Sequence, residues 1–326
     1  MRAPRIQTRH FRFFTTAVAM VGCDGAFAAS TASEPPRDRG YSIAPTPQRS
    51  TVPSQKIVGA GGVMLSVYEA GTPGARPIVF IHGFSQSFMT WDAQLSGLSD
   101  SFHRIAYDLR GHGASDKPLD ADRYTNSSLW ADDLAAVIQT HNLQRPVLVG
   151  WSYGGYVIAD YVRKFGDAGL GGLVFVGVST KNGTSDAASF LTDDVLAIFG
   201  NVLSTDVRAS MNGSRALAAL FARDRSDEWE IAFGSAMMVP PQIRVAMFSR
   251  LLDNDDVLAS IRVPTLVVHG RNDRVVKLSA AQHTVKMVPH ATLLMYPGVG
   301  HAPHLEVPTR FNRDLAEFVR SIRQSR

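Results

Sequence analysis

Three short stretches, "RPIVFIHG" (76–83), "RPVLVG" (145–150) and "PTLVVHG" (264–270), are apolar almost without interruption. A strand with one wet face alternates apolar and polar residues. An unbroken run of this length needs cover on both faces, as the inner strands of a parallel sheet have. "FHRIAYDLRG", "LGGLVFVGVS" and "ATLLMYPG" repeat the pattern along the chain. Helical segments separate the runs. In "SSLWADDLAAVIQTHN" (127–142), Leu129, Leu134 and Val137 recur at helical spacing, with Ser127 or Ser128 near the N-cap. "YGGYVIADYVRKFG" (153–166) and a segment from about Pro308 to Gln324 read as further helices. The expectation is an α/β fold: a mostly parallel twisted sheet with helices on both faces.

The rhythm starts at Lys56, where "KIVGAGGVMLSVYEAG" reads as two strands around a glycine turn. It breaks between Lys181 and Ile261. Those residues carry helical patterns and no clear strand, and they are too many for a plain loop. They are expected to form a helical lid (181–261) over the C-terminal edge of the sheet, between two parts of one core, 56–180 and 262–326. Ligands of open α/β sheets bind at that edge.

The residues before Lys56 read differently. Arg2, Arg5, Arg9 and Arg12, the apolar "FFTTAVAMVG" and the small residues "AFA" before Ala29 predict an export signal over 1–29. The protein is therefore expected to be periplasmic or secreted. Cys23, the only cysteine, follows Met20-Val21-Gly22, a loose version of a lipid-attachment box; cleavage before Ala29 would remove it. Residues 30–55, rich in Pro, Ser and Thr, are expected to be a flexible linker. The net charge of +4 comes from residues 1–50; beyond them, 26 basic residues balance 26 acidic ones. No basic stripe suggests nucleic acid. No apolar run reaches the roughly 20 residues of a membrane span.

"VLVGWSYGGYVI" (147–158) turns from strand to helix at a single serine flanked by glycines, Gly150-Trp151-Ser152-Tyr153-Gly154. A Gly-x-Ser-x-Gly turn between strand and helix exposes the serine hydroxyl at a helix N-terminus, where developing negative charge is favoured. Such a hydroxyl needs a base, and the base an orienting acid. His301, in the Gly-flanked loop "PGVGHAPHLE" after the last strand, is the candidate base. Asp273, in the loop after "LVVHG", is the candidate acid, and the chain order Ser, Asp, His fits. Asp253, Asp255 and Asp256 are rivals that read better as lid charges or helix ends. His304 beside His301 lacks the third ligand a metal site needs. The oxyanion of an acyl transfer would take backbone N–H groups from Tyr153 and from Phe84, the latter in the loop after "FIHG". His82 is expected to brace that loop. Trp151 and the lid residues Phe233, Met237, Met238 and Phe248 are candidates for the substrate pocket, although the favoured reading of the lid residues is that they pack the lid onto the core.

Taken together, "IHGFSQSFMTW", "YDLRGHGASDKP", "GWSYGG", "HGRNDRVV" and "GVGHAPHLEVP" resemble the α/β-hydrolase superfamily, in the lidded branch of small esterases and cofactor-free haloperoxidase-like enzymes. The resemblance implies a Ser152–His301–Asp273 triad, oxyanion amides at Phe84 and Tyr153, and a structural turn at Asp108, Arg110 and Gly113. It also implies no cofactor or metal and a small-molecule acyl substrate. Serine at the elbow separates the chain from relatives that carry aspartate there. Ester hydrolysis is the expected reaction. Carbon–carbon, lactone or amide hydrolysis, perhydrolysis, and a non-catalytic binding role stay open.

Overall fold

The strand order of the main sheet reverses beside one strand, and that reversal opens the crevice where the serine sits. The computed structural model describes residues 54–222 and 226–322. The expected export signal, Cys23 and the expected linker up to residue 53 lie outside the described residues.

Strands β1 (Ser54–Val58) and β2 (Met64–Gly71) form an antiparallel hairpin that begins two residues before Lys56. Strands β3 (Arg76–Ile81), β4 (Phe102–Tyr107), β5 (Val147–Trp151) and β6 (Gly172–Val176) follow. Two short strands in the lid region, β7 (Lys181–Asn182) and β8 (Leu252–Asp253), precede β9 (Thr265–Gly270) and β10 (Thr292–Tyr296). The main sheet has the order β1-β2-β4-β3-β5-β6-β9-β10, parallel from β4 to β10. From β3 the chain passes to β4 on one side, then returns to β5 on the other. Loops leaving β3 and β5 therefore diverge, leaving a crevice at their carboxyl ends. Ile78, Val79, Phe80 and Ile81 of β3 are fully buried. Burial of each such apolar side chain contributes about 1.5–3 kcal/mol.

The helix Ser127–Thr140 is capped by Asn126, whose side chain accepts from the Ser128 N–H, rather than by either serine. Ser127 is occupied elsewhere: its hydroxyl accepts from Arg250. Residues 181–261 contain the helices Asp193–Val202, Val207–Ala218, Asp227–Met237, Pro241–Phe248 and Asp255–Ser260. Thr192, Asp206 and Ser226 cap the first three by accepting an N–H with their side chains. The expectation of no strand in this interval needs correction. β7 and β8 pair antiparallel where the insertion leaves and rejoins the core. Two residues each are too few to carry a strand period. Lys181 draws in Asp186, Asp253 and Asp255, and Arg163 holds Asp256 at 2.6 Å, so these aspartates are engaged in ion pairs. No single described helix is long and apolar enough to cross a membrane.

A buried ion pair ties this insertion to the core. Arg250 donates to both carboxylate oxygens of Asp160 at 2.6–2.7 Å, to Ser127 at 2.8 Å and to the Tyr153 hydroxyl at 3.1 Å. Arg250 is 3% exposed and Asp160 is also 3% exposed. Removing one charge strands the other in the interior. Arg250→Met is expected to lower unfolding free energy by about 3–5 kcal/mol. The double variant Arg250→Met/Asp160→Leu should recover most of that loss. Urea denaturation of the three proteins checks this; equal destabilisation by the single and double changes would contradict it.

Candidate active site

Ser152, in the turn directly after β5, has φ 51°, the left-handed region that non-glycine residues rarely enter. Strain of this kind costs on the order of 1–3 kcal/mol and persists only where neighbours enforce it. They do so here. The Ser152 N–H donates to Val176 O at 2.9 Å, and Ser152 O accepts from Gly155 at 2.9 Å. The flanking residues must be glycine because backbone fills the space. A Cβ on Gly150 would lie 2.7 Å from the Gly154 carbonyl, and one on Gly154 would lie 2.3 Å from Ile81 O. The elbow thus locks onto the end of β3, and the helix Gly154–Phe165 starts directly behind the serine.

The loop after β3 lies against this turn: a Cβ on Gly83 would approach the Ser152 Cβ to 3.2 Å. His82 braces it. Its Nδ1–H donates to Gly83 O at 2.8 Å while Nε2 accepts from the Leu109 N–H at 3.0 Å. Only the neutral ring can do both, and burial keeps it neutral by pushing its pKa down to about 4. Among the described residues, neither the Phe84 nor the Tyr153 backbone N–H has an acceptor. Phe84, Tyr153, Ser152 and His301 line one cavity.

His301 comes from the loop after β10. Its Nδ1–H donates to Asp273 Oδ2 at 2.8 Å. The other oxygen, Oδ1, accepts from the Val275 and Val276 N–H groups at 2.7 and 2.9 Å, so both oxygens of this buried carboxylate are engaged. His269 lies 3.7 Å from Oδ2 but sends its Nε2–H to Val276 O. Burial lowers its pKa, and it brings no competing charge. Two residues that position His301 have no local signal as such. Trp151 Nε1–H donates to His301 O at 3.0 Å, and the Glu306 carboxylate accepts from the Gly300 and Ala302 N–H groups. An indole or carboxylate reaching a loop backbone depends on three-dimensional proximity that spacing does not encode.

His304 turns away into an aromatic box. It stacks on Trp91 at 4.1 Å and meets the edge of Trp151 at 4.8 Å, and neither ring nitrogen has a partner among the described residues. The turn at Asp108 is a bracing element, as the resemblance implied. Asp108 accepts from Phe88 N, Ala114 N and the Tyr68 hydroxyl, and Arg110 pairs with Asp133 at 2.7 Å.

Four buried histidines share one electrostatic property. Burial pushes His82 to about 4 and His112 to about 3, and lowers His269 and His304 as well. Histidine ordinarily titrates near 6.5. Below that pH the unfolded chain takes up protons that the native rings refuse, so stability falls as pH drops from about 6.5 toward about 4. The expected loss is on the order of 2 kcal/mol each for His82 and His112 between pH 6.5 and 5. His304→Phe removes one such ring without removing a protein hydrogen bond. It should shrink the drop in Tm between pH 7 and pH 5, by at most roughly 3 °C. Thermal melts at both pH values test this, and an unchanged drop would refute it.

The cavity over Ser152 is small, about 70 Å³, and mostly apolar. Trp151 and Phe248 line it, the latter packed edge-on against Phe84 at 4.6 Å. Phe233, Met237 and Met238 do not, and that part of the sequence expectation is corrected. The helix Asp227–Met237 buries Ala232, Ser235 and Ala236, leaving Met237 and Met238 37% and 49% exposed. Phe233 stacks on Trp229 at 5.4 Å beneath the Arg215 guanidinium. Phe199, Leu217 and Phe221, from elsewhere in residues 181–261, take the lining positions instead.

Comparison with known proteins agrees with this architecture. A family model described as alpha/beta hydrolase fold matches residues 76–308. The bifunctional esterase/perhydrolase DCH of Acinetobacter calcoaceticus is 30% identical over 271 residues, 78% of this chain and 95% of that protein. The non-heme chloroperoxidase CPO-A1 of Kitasatospora aureofaciens is 30% identical over 259 residues, covering 75% of this chain and 92% of that protein. The crystal structure of the esterase RhEst1 from Rhodococcus sp. ECU1013 superposes with a TM-score of 0.78 at 31% identity, over 83% of this chain and 99% of that one. The chain is a member of the α/β-hydrolase family.

Proposed function

We propose that the protein is a serine hydrolase that cleaves small carboxylic esters through an acyl-enzyme. Ser152 attacks the carbonyl as His301 Nε2 accepts its proton. Asp273 holds the imidazole by its Nδ1–H and stabilises the cation that forms. The Phe84 and Tyr153 N–H groups receive the oxyanion; each donor of this kind is worth roughly 3–4 kcal/mol. His301 then protonates the departing alcohol and activates the water that releases the acid. The observation that carries the reading is the 2.8 Å Asp273–His301 bond beside a cavity that His301 shares with the strained Ser152 and the two unpaired amides.

The small apolar cavity favours a short, uncharged acyl group. Turnover of p-nitrophenyl acetate, with one fluorophosphonate per chain recovered on the peptide holding Ser152, is the expected result. Absence of both turnover and labelling would sink the reading. A second outcome of the same acyl-enzyme is favoured by the relative named as an esterase/perhydrolase. Hydrogen peroxide replacing water as the attacking nucleophile would release a peracid in place of the acid. Peracid formation from an acetate ester and peroxide, dependent on Ser152, would establish that branch.

A further inference from the structure

Behind the cavity over Ser152 lies a larger groove of about 590 Å³, and one side chain borders both spaces. Phe221 lies three residues beyond the helix Val207–Ala218. Its ring meets the Trp151 ring edge-on at 5.2 Å and lies 6.2 Å from the His301 ring. It is 5% exposed, and it is the lining residue that the two spaces share. On its far side the groove runs past Val299, Gly300, Leu305 and Asn272, along the outside of the loops that carry His301 and Asp273.

We propose that the Phe221 ring is the wall that sets the length of unbranched apolar chain the site accepts, and that shortening this side chain extends the site into the groove behind it. The inference deepens the ester-hydrolase reading and rests on it for its use in catalysis. The size argument is direct. The cavity over Ser152 is small, and Phe221 is the residue that it shares with the groove, so a chain that grows in that direction meets this ring. Beyond it, Leu220 and Leu305 give a passing chain some apolar surface in a groove that Glu228, Arg274 and Glu306 also line. The limit therefore belongs to one aromatic ring and not to the depth of the fold.

The test separates binding from chemistry. Straight-chain methyl ketones from butanone to dodecan-2-one are titrated calorimetrically into Ser152→Ala, and into the same protein carrying Phe221→Ala, Phe221→Leu or Phe221→Trp. In the parent, affinity should rise by about fourfold per methylene up to a short limit and then fall by at least about tenfold. Phe221→Ala and Phe221→Leu should move the limit to longer ketones, and Phe221→Trp to shorter ones. The leucine and tryptophan variants keep the test alive should the alanine variant fail to fold. One common limit in every variant overturns the inference, as does the absence of measurable ketone binding. A parallel ester series with Ser152 intact reads the other claim. A limit that moves in proteins that turn over no ester leaves the wall standing and removes the ester-hydrolase reading. Ester turnover with an unmoved limit does the reverse.

Discussion

Alanine at position 152 is expected to lower kcat for a short ester on the order of 10⁶-fold while leaving the fold and Tm nearly unchanged. The hydroxyl is the only group in the proposed reaction that forms a covalent bond to substrate. Without it, His301 can at best activate water in a geometry built for another nucleophile. The Phe84 and Tyr153 amides would still stabilise an oxyanion, so a residual rate above that of water alone should remain. Stability should hold because alanine tolerates the φ of 51° about as poorly as serine, and the two backbone bonds that hold the turn, to Val176 O and from Gly155 N, do not involve the side chain. Steady-state kinetics with a fluorophosphonate mass-shift assay give the answer. A variant keeping more than about one percent of the rate would remove Ser152 from the role.

Asp273→Asn is expected to cost about 10⁴-fold in kcat with little change in KM. The reason lies in the carboxylate's surroundings. Oδ1 accepts two backbone N–H groups while Oδ2 accepts one, from His301. An asparagine has one oxygen to place. Two donors outweigh one, so the oxygen should face Val275 and Val276 and the NH₂ group should face His301 Nδ1. That Nδ1 must then be an acceptor, which puts the ring proton on Nε2, facing the serine. A base protonated at its working nitrogen cannot take the serine proton. KM should hold because Asp273 does not line the cavity. A loss in KM at unchanged kcat would instead show that the side chain shapes the substrate site.

The correspondence between sequence and structure was uneven for physical reasons. The strands of the inner sheet were legible because burial on both faces leaves an unbroken apolar run, as in "VLVGW", where all five residues are buried. The elbow was legible because its steric demand is local: Gly150 and Gly154 meet backbone within a few residues or at the adjoining strand end. Ser152, Asp273 and His301 could be nominated because each ends or follows a strand, and parallel strands deliver such loops to one edge. The lid side chains were not legible. Phe233, Met237 and Met238 have the composition of a pocket wall, but which face of a short helix turns inward depends on what lies beneath it. Here small residues, Ala232, Ser235 and Ala236, pack down and the methionines point out. The cap at Asn126 was hidden in the same way: Arg250, more than a hundred residues on, engages the serine that composition favoured.

The sequence by itself determined the layered α/β architecture and the positions where a hydroxyl, an imidazole and a carboxylate could meet, because periodicity and backbone sterics act over neighbouring residues. Only the tertiary structure decided the depth of the cavity, the partition at Phe221 and the Arg250–Asp160 clamp. Those depend on how side chains from distant segments divide a shared volume and satisfy one another's charges, and that is settled only when the segments pack.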